Sequence, residues 1–209
     1  MMRILIADDH AIVRKGLRQI LLEQYPSAQV GEASDAESLI SEIMNQEWDV
    51  VITDMSMPGR SGLDALNQIK MAAPKLPVLI MSMHPEDQYA LRALKAGAAG
   101  YLGKETIHDD IVKAIETVLR GKKFITTGIA EKLANAFDSD TKGPLHESLS
   151  DREFGVFKLL ASGKSVTEIG EQLSLSATTV STYRARIMDK MGMRSNADLT
   201  RYAIEHKFI

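Results

Sequence analysis

The sequence predicts an α/β fold with a doubly wound, five-stranded parallel sheet, followed by a small all-α domain of four helices. Over residues 1–120, short apolar strand patterns alternate five times with amphipathic helix patterns. Such alternation builds a parallel sheet that helices cover on both faces. Residues 147–209 carry helix signals alone, and glycines punctuate residues 121–146. We therefore expect two domains, 1–120 and 147–209, joined by a linker over 121–146.

Short apolar runs predict the strands of the sheet. Each run stands between polar or turn residues, and its length fits a buried strand better than a helix. The predicted strands cover residues 3–7, 28–31, 50–53, 78–82 and 100–102.

Apolar residues at helical spacing predict the helices between these strands. The first helix carries its stripe on Val13, Leu17, Ile20 and Leu21. The last helix of the domain carries Ile111, Ala114, Ile115, Val118 and Leu119. Patterns like a capping box begin helices at 34–37 and 106–109. Gly97 and Gly121 stand where helices should end.

The second domain is marked by helix starts and stops. Capping boxes occupy residues 150–153 and 165–168, and Ser176 and Ser195 are further N-caps. Gly163 and Gly192 end helices. These signals predict helices over 151–162, 166–173, 177–191 and 196–206. In the linker, residues 129–137 predict a short helix and residues 138–144 an exposed tip.

Composition excludes several classes of protein. The chain has no cysteine, which rules out disulfides and thiolate metal sites. No apolar run approaches the roughly 20 residues of a membrane span, and no signal-peptide pattern precedes the first strand, so we expect a cytoplasmic protein without a membrane partner. The net charge is −3, but residues 147–209 hold nine Lys and Arg against eight Asp and Glu. A slightly basic module beside an acidic one is compatible with DNA binding.

Carboxylates follow two of the predicted strands. Asp8 and Asp9 come after the first strand, and Asp54 follows the third. Because ligands of an open parallel sheet bind beyond the carboxyl ends of its strands, these acids should meet there. Unpaired, they would repel, and their oxygens are the ligands that Mg²⁺ prefers. The sequence therefore predicts a metal-assisted phosphoryl site.

Two further residues at the same edge support that chemistry. Ser82 ends the fourth strand pattern and Lys104 lies just past the fifth. An aspartate can act as a nucleophile toward phosphorus, and a hydroxyl and an ammonium can bind phosphoryl oxygens. Any single aspartate is equally well explained as a strand end or an N-cap. Five such residues at appropriate strand ends favour the site.

Residues 1–120 resemble a two-component receiver domain, which has a flavodoxin-like fold. The matching residues are Asp8, Asp9, Asp54, Met57-Pro58-Gly59, Ser82, Ala96-Gly97-Ala98 and Lys104. The resemblance implies that a histidine kinase phosphorylates Asp54. It also implies that Asp9, Asp54 and the main-chain carbonyl of Ser56 bind Mg²⁺, with Asp8 acting through water.

The same resemblance implies a switch and shows some departures. Ser82 would move its hydroxyl to the phosphoryl group while the Tyr101 ring turns inward. Glu105 follows Lys104 where many receivers have proline, so we expect no cis bond there. Gly103 replaces a bulkier apolar residue. Ser56 and His84 stand at positions that tend to tune dephosphorylation.

The third helix of the second domain predicts a DNA-recognition face. Val180, Ile187 and Met191 share one side of it. The opposite side presents Thr178, Ser181, Thr182 and Ala185, flanked by Arg184, Arg186 and Lys190. Small side chains rimmed by cations fit a helix in the major groove, where cations contact phosphates and small groups meet base edges. A generic four-helix interaction module would show a similar pattern.

Residues 149–203 resemble the LuxR-type helix-turn-helix domain of NarL/FixJ-family response regulators. The match is carried by residues 149–153, residues 179–184, Ile187 and Lys190. The resemblance implies binding to double-stranded DNA as a homodimer and adds Thr179 and Tyr183 to the DNA contacts. Tyr183 stands where histidine is frequent, and Val166-Thr167 stand where Asn-Lys is frequent. Leu199, Tyr202 and Ala203 form either a dimer face or part of the domain's own core.

The main interpretation is a phosphorylation-switched transcription regulator that is not an enzyme, beyond catalysing its own phosphorylation and slow dephosphorylation. Three alternatives stay open: a phosphoryl-transferring enzyme with an aspartyl intermediate, a ligand-gated LuxR-type regulator and an unphosphorylated adaptor. His10 follows Asp9 and could touch the metal site, although a solvated loop is the simpler interpretation. His108, His146 and His206 show no ligand spacing.

Overall fold

A parallel sheet of five strands forms the centre of the N-terminal part of the chain, in the order β2-β1-β3-β4-β5. The computed structural model describes residues 1–57, 62–83, 86–131 and 144–209. The strands are β1 (Arg3–Ala7), β2 (Gln29–Ala33), β3 (Val50–Asp54), β4 (Val78–Ser82) and β5 (Gly100–Gly103). Because β2 lies on one side of β1 and the later strands lie on the other, the sheet is doubly wound, as predicted.

Helices connect the strands. They are α1 (Ala11–Gln24), α2 (Ala36–Asn45), α3 (Gly62–Ala72), α4 (Glu86–Lys95) and α5 (Ile107–Leu119). Leu17 and Leu21 of α1 and Ile111 and Ile115 of α5 pack into one cluster with β1 and β3, so the predicted stripes do face the sheet. Leu119 is the exception, with 44% of its surface exposed, because it occupies the last turn of α5.

The bounds of β2 differ most from the prediction. It pairs with β1 from Gln29 to Ala33, whereas the sequence predicted residues 28–31. The strand lies at the edge of the sheet and is only half-buried, so it can include a polar residue such as Glu32. The apolar pattern in the sequence ends before Glu32, and the prediction therefore ended there too. The third and fifth strands each extend one residue further than predicted, to Asp54 and Gly103.

Two predicted helix starts also differ. The capping box of α2 is formed by Asp35 and Ser38, one residue later than predicted: the Ser38 amide donates to Asp35 Oδ1 at 2.8 Å. Thr106 precedes α5 without a side-chain capping bond, because its backbone (φ −106°, ψ 1°) is not extended as an N-cap requires.

Trp48 fills the space above an edge-strand glycine. Its ring is buried, and its Nε1 donates to the carbonyl of Glu42 at 3.2 Å. A Cβ on Gly31 would lie 2.3 Å from the ring atom Cη2 of Trp48, so no larger residue fits there without displacing the tryptophan. The burial and the hydrogen bond give Trp48 a structural role.

The C-terminal part is helical. A 3-10 helix, Leu145–Ser148, precedes α6 (Asp151–Ala161), α7 (Val166–Leu173), α8 (Ala177–Met191) and α9 (Asn196–Glu205). Ser150, Ser165, Ser176 and Ser195 cap these four helices as predicted. Gly163 and Gly192 have the positive φ expected after helix ends. Phe154, Phe157, Val180, Ile187 and Leu199 are fully buried in this part.

The chain divides into two compact units, Met1–Phe137 and Asp138–Ile209. The predicted limits of the linker, 121 and 146, stay a prediction, because residues 132–143 lie outside the described part of the chain. Residues 127–131 are helical, which includes the first three residues of the helix predicted over 129–137. The rest of that helix, and all of the tip predicted over 138–144 except residue 144, lie outside the described residues.

Candidate functional site

Acidic residues, a serine and a lysine meet at the carboxyl edge of the sheet. Asp8 follows β1, while Asp54 and Ser82 end β3 and β4. Because Asp54 pairs with Met81 and Ser82 pairs with Gly103, the ends of β3, β4 and β5 are level. Lys104 follows directly, and its amide donates to the carbonyl of Ser82 at 2.8 Å.

Lys104 lies between two carboxylates. Its Nζ is 2.7 Å from Asp8 Oδ2 and 3.0 Å from Asp54 Oδ2. Both carboxylates are buried, and only 11% of the Lys104 side chain is exposed. The structure thus joins, in one ion-paired group, three of the residues predicted for the phosphoryl site.

Burial dominates the protonation of Asp54. It raises the pKa of the carboxyl above its ordinary value, and the contact with Lys104 only partly opposes this. A backbone hydrogen bond from Ser56 also favours the ionised form. Burial acts to lower the pKa of Lys104, but its contacts with Asp8 and Asp54 outweigh burial and hold that pKa above the ordinary value.

The acids form a donor set for a metal ion. Asp8, Asp9, His10 and Asp54 each place one ligand atom so that all four atoms lie within 4.8 Å of one another. Asp8 Oδ2 and Asp9 Oδ1 are both buried. Asp8 Oδ2 lies 2.7 Å from Lys104 Nζ, and Asp9 Oδ1 lies 2.8 Å from His10 Nδ1. Buried carboxylate oxygens of this kind fit a hard divalent cation.

The predicted switch residues are both buried. Ser82 is buried beside Met55, with 3.8 Å between Oγ and Sδ. Tyr101 pairs with Ile80 in the sheet, and its side chain is fully buried. Met57 is buried as well. Pro58, Gly59 and His84 lie outside the described residues. No cis peptide bond occurs in the described ranges, which include Lys104 and Glu105.

Sequence reasoning gave little weight to two residues near the acids. His10 is exposed, as a loop residue would be, yet its Nδ1 lies 2.8 Å from Asp9 Oδ1 and 3.1 Å from Asp8 Oδ1. Arg14 was missed: its Nη1 donates to the carbonyl of Asp8 at 2.7 Å and its Nε to Glu32 at 3.2 Å. Arg14 follows His10 by four residues, and residues four apart are neighbours on one face of a helix. The predicted helix could therefore have indicated that Arg14 lies near the acids.

A helix-turn-helix is formed by α7, residues 174–176 and α8. Ser174 adopts the left-handed conformation (φ 54°), and the Leu175 amide donates to the carbonyl of Gly170 at 2.8 Å. A Cβ on Gly170 would lie 2.6 Å from the Leu175 carbonyl oxygen, so the turn requires glycine there. Ser176 then caps α8.

The recognition face of α8 is exposed. Thr178, Ser181, Thr182, Ala185 and Arg186 face solvent, whereas Thr179, Tyr183 and Arg184 are partly buried. Two of the cationic side chains already contact other residues of the same chain. Arg184 Nε donates to Asn196 Oδ1 at 2.8 Å, and Lys190 Nζ lies 2.6 Å from Glu153 Oε2.

The stripe on α9 belongs to the core of its own unit. Leu199, Tyr202 and Ala203 are all buried within the single chain. Of the two interpretations left open by the sequence, the structure supports the core and not the dimer face. In addition, the parts of the chain that are described contain no helix long and apolar enough to cross a membrane.

Comparison with known proteins identifies relatives along the whole chain. Residues 4–116 match the response regulator receiver domain, and residues 147–203 match the bacterial regulatory proteins of the luxR family. Response regulator UvrY of Escherichia coli (strain K12) is 36% identical over 208 residues, which cover 99% of this chain and 95% of UvrY.

Solved structures resemble the chain over nearly its full length. RcsB from Salmonella enterica serovar Typhimurium, bound to promoter rprA in the presence of the phosphomimetic BeF3−, shares 30% identity with a TM-score of 0.64. That match covers 97% of this chain and 98% of the RcsB chain. The structure of two RcsB dimers bound to two parallel DNAs shares 31% identity with a TM-score of 0.60, covering 96% and 97%.

Proposed function

The chain belongs to the response regulators that join a receiver domain to a LuxR-type DNA-binding domain, and from that premise we propose that phosphorylation of Asp54 by a histidine kinase switches its binding to specific DNA sequences. The family consists of transcription regulators, so this chain is not a conventional enzyme. The chemistry proposed for it is its own phosphorylation and slow dephosphorylation.

The ion pair between Lys104 and Asp54 carries the proposal. A buried ammonium 3.0 Å from the carboxylate can neutralise oxygens of a phosphoryl group added to Asp54. Only 11% of the Lys104 side chain and 3% of the Asp54 side chain are exposed to water, which strengthens that attraction. Asp8 holds Lys104 from the other side at 2.7 Å and so fixes where the ammonium lies.

Mg²⁺ is the proposed cofactor. Asp9 and Asp54, with the main-chain carbonyl of Ser56, would hold the ion directly, and Asp8 would act through water. When bound, the ion would neutralise charge on the acids and on the phosphoryl oxygens. The carboxylate oxygens within 4.8 Å of one another support this assignment.

Ser82 and Tyr101 are proposed to report phosphorylation to the rest of the receiver. The Ser82 hydroxyl would bind the phosphoryl group, and the Tyr101 ring would occupy its buried position in the switched state. Both residues are buried on the adjacent strands β4 and β5, which end at the acids, so a change at Asp54 can bias their packing.

The proposed DNA-binding element is α8 in the major groove. Thr178, Ser181, Thr182 and Ala185 would meet base edges, and Arg184 and Arg186 would contact phosphates. The complete set of proposed contacts adds Thr179, Tyr183 and Lys190. The likeness to RcsB bound to DNA supports DNA binding by this chain. We also propose that the regulator acts in the cytoplasm. The receiver domain implies a histidine kinase as its upstream partner.

The test is phosphorylation of the full chain with a small acyl phosphate and Mg²⁺, followed by intact mass spectrometry. We expect the wild type to gain one phosphoryl group and Asp54→Asn to gain none. Asp109→Asn, which neutralises an exposed carboxylate at the start of α5, is the matched control and should react like the wild type. Equal phosphorylation of Asp54→Asn and the wild type would refute the proposed acceptor.

A further inference from the structure

His10 places its imidazole against the acidic cluster. Its Nδ1 lies 2.8 Å from Asp9 Oδ1 and 3.1 Å from Asp8 Oδ1. The side chain is 63% exposed, so the rest of the ring lies toward solvent while this one nitrogen points to the carboxylates. The ring can therefore follow a cation that binds between the acids without disturbing the core.

The position of His10 in the helix does not explain the orientation of its ring. His10 is the N-cap residue of α1, yet its side chain makes no capping hydrogen bond. Its own backbone amide donates to Asp8 Oδ1 at 2.8 Å, and this short turn holds the ring on the same side as the carboxylates. Serine, threonine, aspartate or asparagine would serve the helix better at this position.

A nitrogen ligand changes which cation the site prefers. Carboxylates and water alone suit Mg²⁺, which demands oxygen ligands and gives up its water reluctantly. An imidazole suits first-row transition ions, whose affinities for mixed nitrogen and oxygen sites rise from Mn²⁺ to Co²⁺ and Ni²⁺. The donor set here contains three carboxylates and one imidazole, with all four ligand atoms within 4.8 Å of one another.

We propose that His10 donates Nδ1 to the cation held by Asp9 and Asp54, with Asp8 acting through water, so that the site takes a divalent transition ion such as Mn²⁺ or Co²⁺ in preference to Mg²⁺. The proposal rests on the proposed function in one respect, namely that a cation binds at this cluster. It goes beyond that function because it assigns a further ligand and a different preferred ion. The competing explanation is that the imidazole only forms an ion pair with the two aspartates.

Metal titrations of the full chain separate the two explanations. Mg²⁺, Mn²⁺ and Co²⁺ are each titrated by calorimetry, in the same buffer and at the same pH for every variant. We expect His10→Ala to lower the Co²⁺ affinity by about tenfold and to leave the Mg²⁺ affinity within about twofold of the wild type. His108→Ala removes an exposed histidine of α5 and should change neither affinity.

Pulsed EPR of bound Mn²⁺ gives a direct second readout. A nitrogen hyperfine coupling should be present in the wild type and in His108→Ala, and absent in His10→Ala. Equal affinity losses for Mg²⁺ and Co²⁺, or bound Mn²⁺ without a nitrogen coupling, would overturn the assignment of His10. If no ion binds the wild type, or if Asp54→Asn binds all three ions as the wild type does, the proposed cation site itself is wrong.

Discussion

Asp54 is a buried carboxylate whose protonation bears on the stability of the fold. Its pKa is raised in the folded chain, chiefly by burial and despite Lys104. Between the ordinary value of 3.8 and this raised value, the folded state holds more protons than the unfolded state. The stability contributed by this residue therefore falls as the pH rises through that window.

Neutralising Asp54 should stabilise the metal-free protein. We expect Asp54→Asn to raise the free energy of unfolding at neutral pH by about 1 kcal/mol, because a buried charge is removed while Lys104 keeps Asp8 as a partner. The gain should shrink as the pH falls toward the ordinary pKa of aspartate. Urea titrations between about pH 4 and 7, with Asp109→Asn as the control, measure this. An Asp54→Asn variant less stable than the wild type at neutral pH would show that the contact with Lys104 outweighs burial.

Arg14 fixes the backbone at the first acid. Its side chain bridges the Asp8 carbonyl and Glu32, and we expect Arg14→Ala to slow phosphorylation by about tenfold, as the loss of groups that orient metal ligands does. The matched control is Arg18→Ala, since Arg18 lies 3.6 Å from the same glutamate and is more exposed. Phosphorylation rates over a range of Mg²⁺ concentrations measure the effect. Equal slowing by both variants would assign the effect to surface charge instead.

The turn of the helix-turn-helix depends on close contact between backbones. Gly170 on α7 abuts the carbonyl of Leu175, which lies in the turn before α8. Since α8 carries the proposed DNA contacts, any shift of this turn re-aims the whole recognition face. A single methyl group added at Gly170 should therefore affect both the stability of the fold and DNA binding.

Gly170→Ala tests this dependence. We expect a loss of about 1–3 kcal/mol in stability, typical of overpacking, together with weaker DNA binding. Gly155→Ala is the control: Gly155 lies within α6, and no neighbouring atom lies within 4 Å of the position that a Cβ would take, so the change should be neutral or stabilising by about 1 kcal/mol. Thermal unfolding and gel-shift assays report the two effects. Wild-type DNA binding by Gly170→Ala would contradict the role of the turn.

The elements were largely predictable because local chemistry determines them. The four serine caps of the C-terminal helices depend on hydrogen bonds within three residues, and all four form. By contrast, β2 is set by pairing with a distant strand, and its own residues alternate poorly. The strand-end acids could be predicted from topology. The placement of Arg14 on Asp8, and of Lys190 on Glu153, depends on long side chains whose orientation no sequence pattern specifies.

The whole molecule separates its two chemical tasks. The proposed phosphoacceptor lies in the N-terminal unit and the proposed DNA contacts lie in the C-terminal unit, so phosphorylation must change something that the second unit senses. Pairing of two chains is one such change, because a dimer presents two recognition helices to two half-sites. Leu199 and Tyr202 of the stripe on α9 belong to the core, so we expect any pairing of two chains to use residues other than these.

Phosphorylation should convert the monomer to a dimer, which doubles the mass measured in solution. We expect beryllofluoride with Mg²⁺ to convert monomer to dimer in light scattering, because the mimic would occupy the proposed phosphoryl position at Asp54, beside Lys104. Asp54→Asn should stay monomeric under the same conditions. A wild type that stays monomeric with the mimic bound would mean that dimerisation waits for DNA or plays no part in the switch.

Trp48 gives the chain a spectroscopic probe of one unit. It is the single tryptophan of the sequence, and its indole is packed against Gly31 and held by the Glu42 carbonyl in the N-terminal unit. Tryptophan emission therefore follows the melting of that unit alone, whereas far-ultraviolet circular dichroism follows both. Where the two signals change together, the units unfold as one cooperative system; where they separate, each unit's stability can be measured in the intact protein without a label.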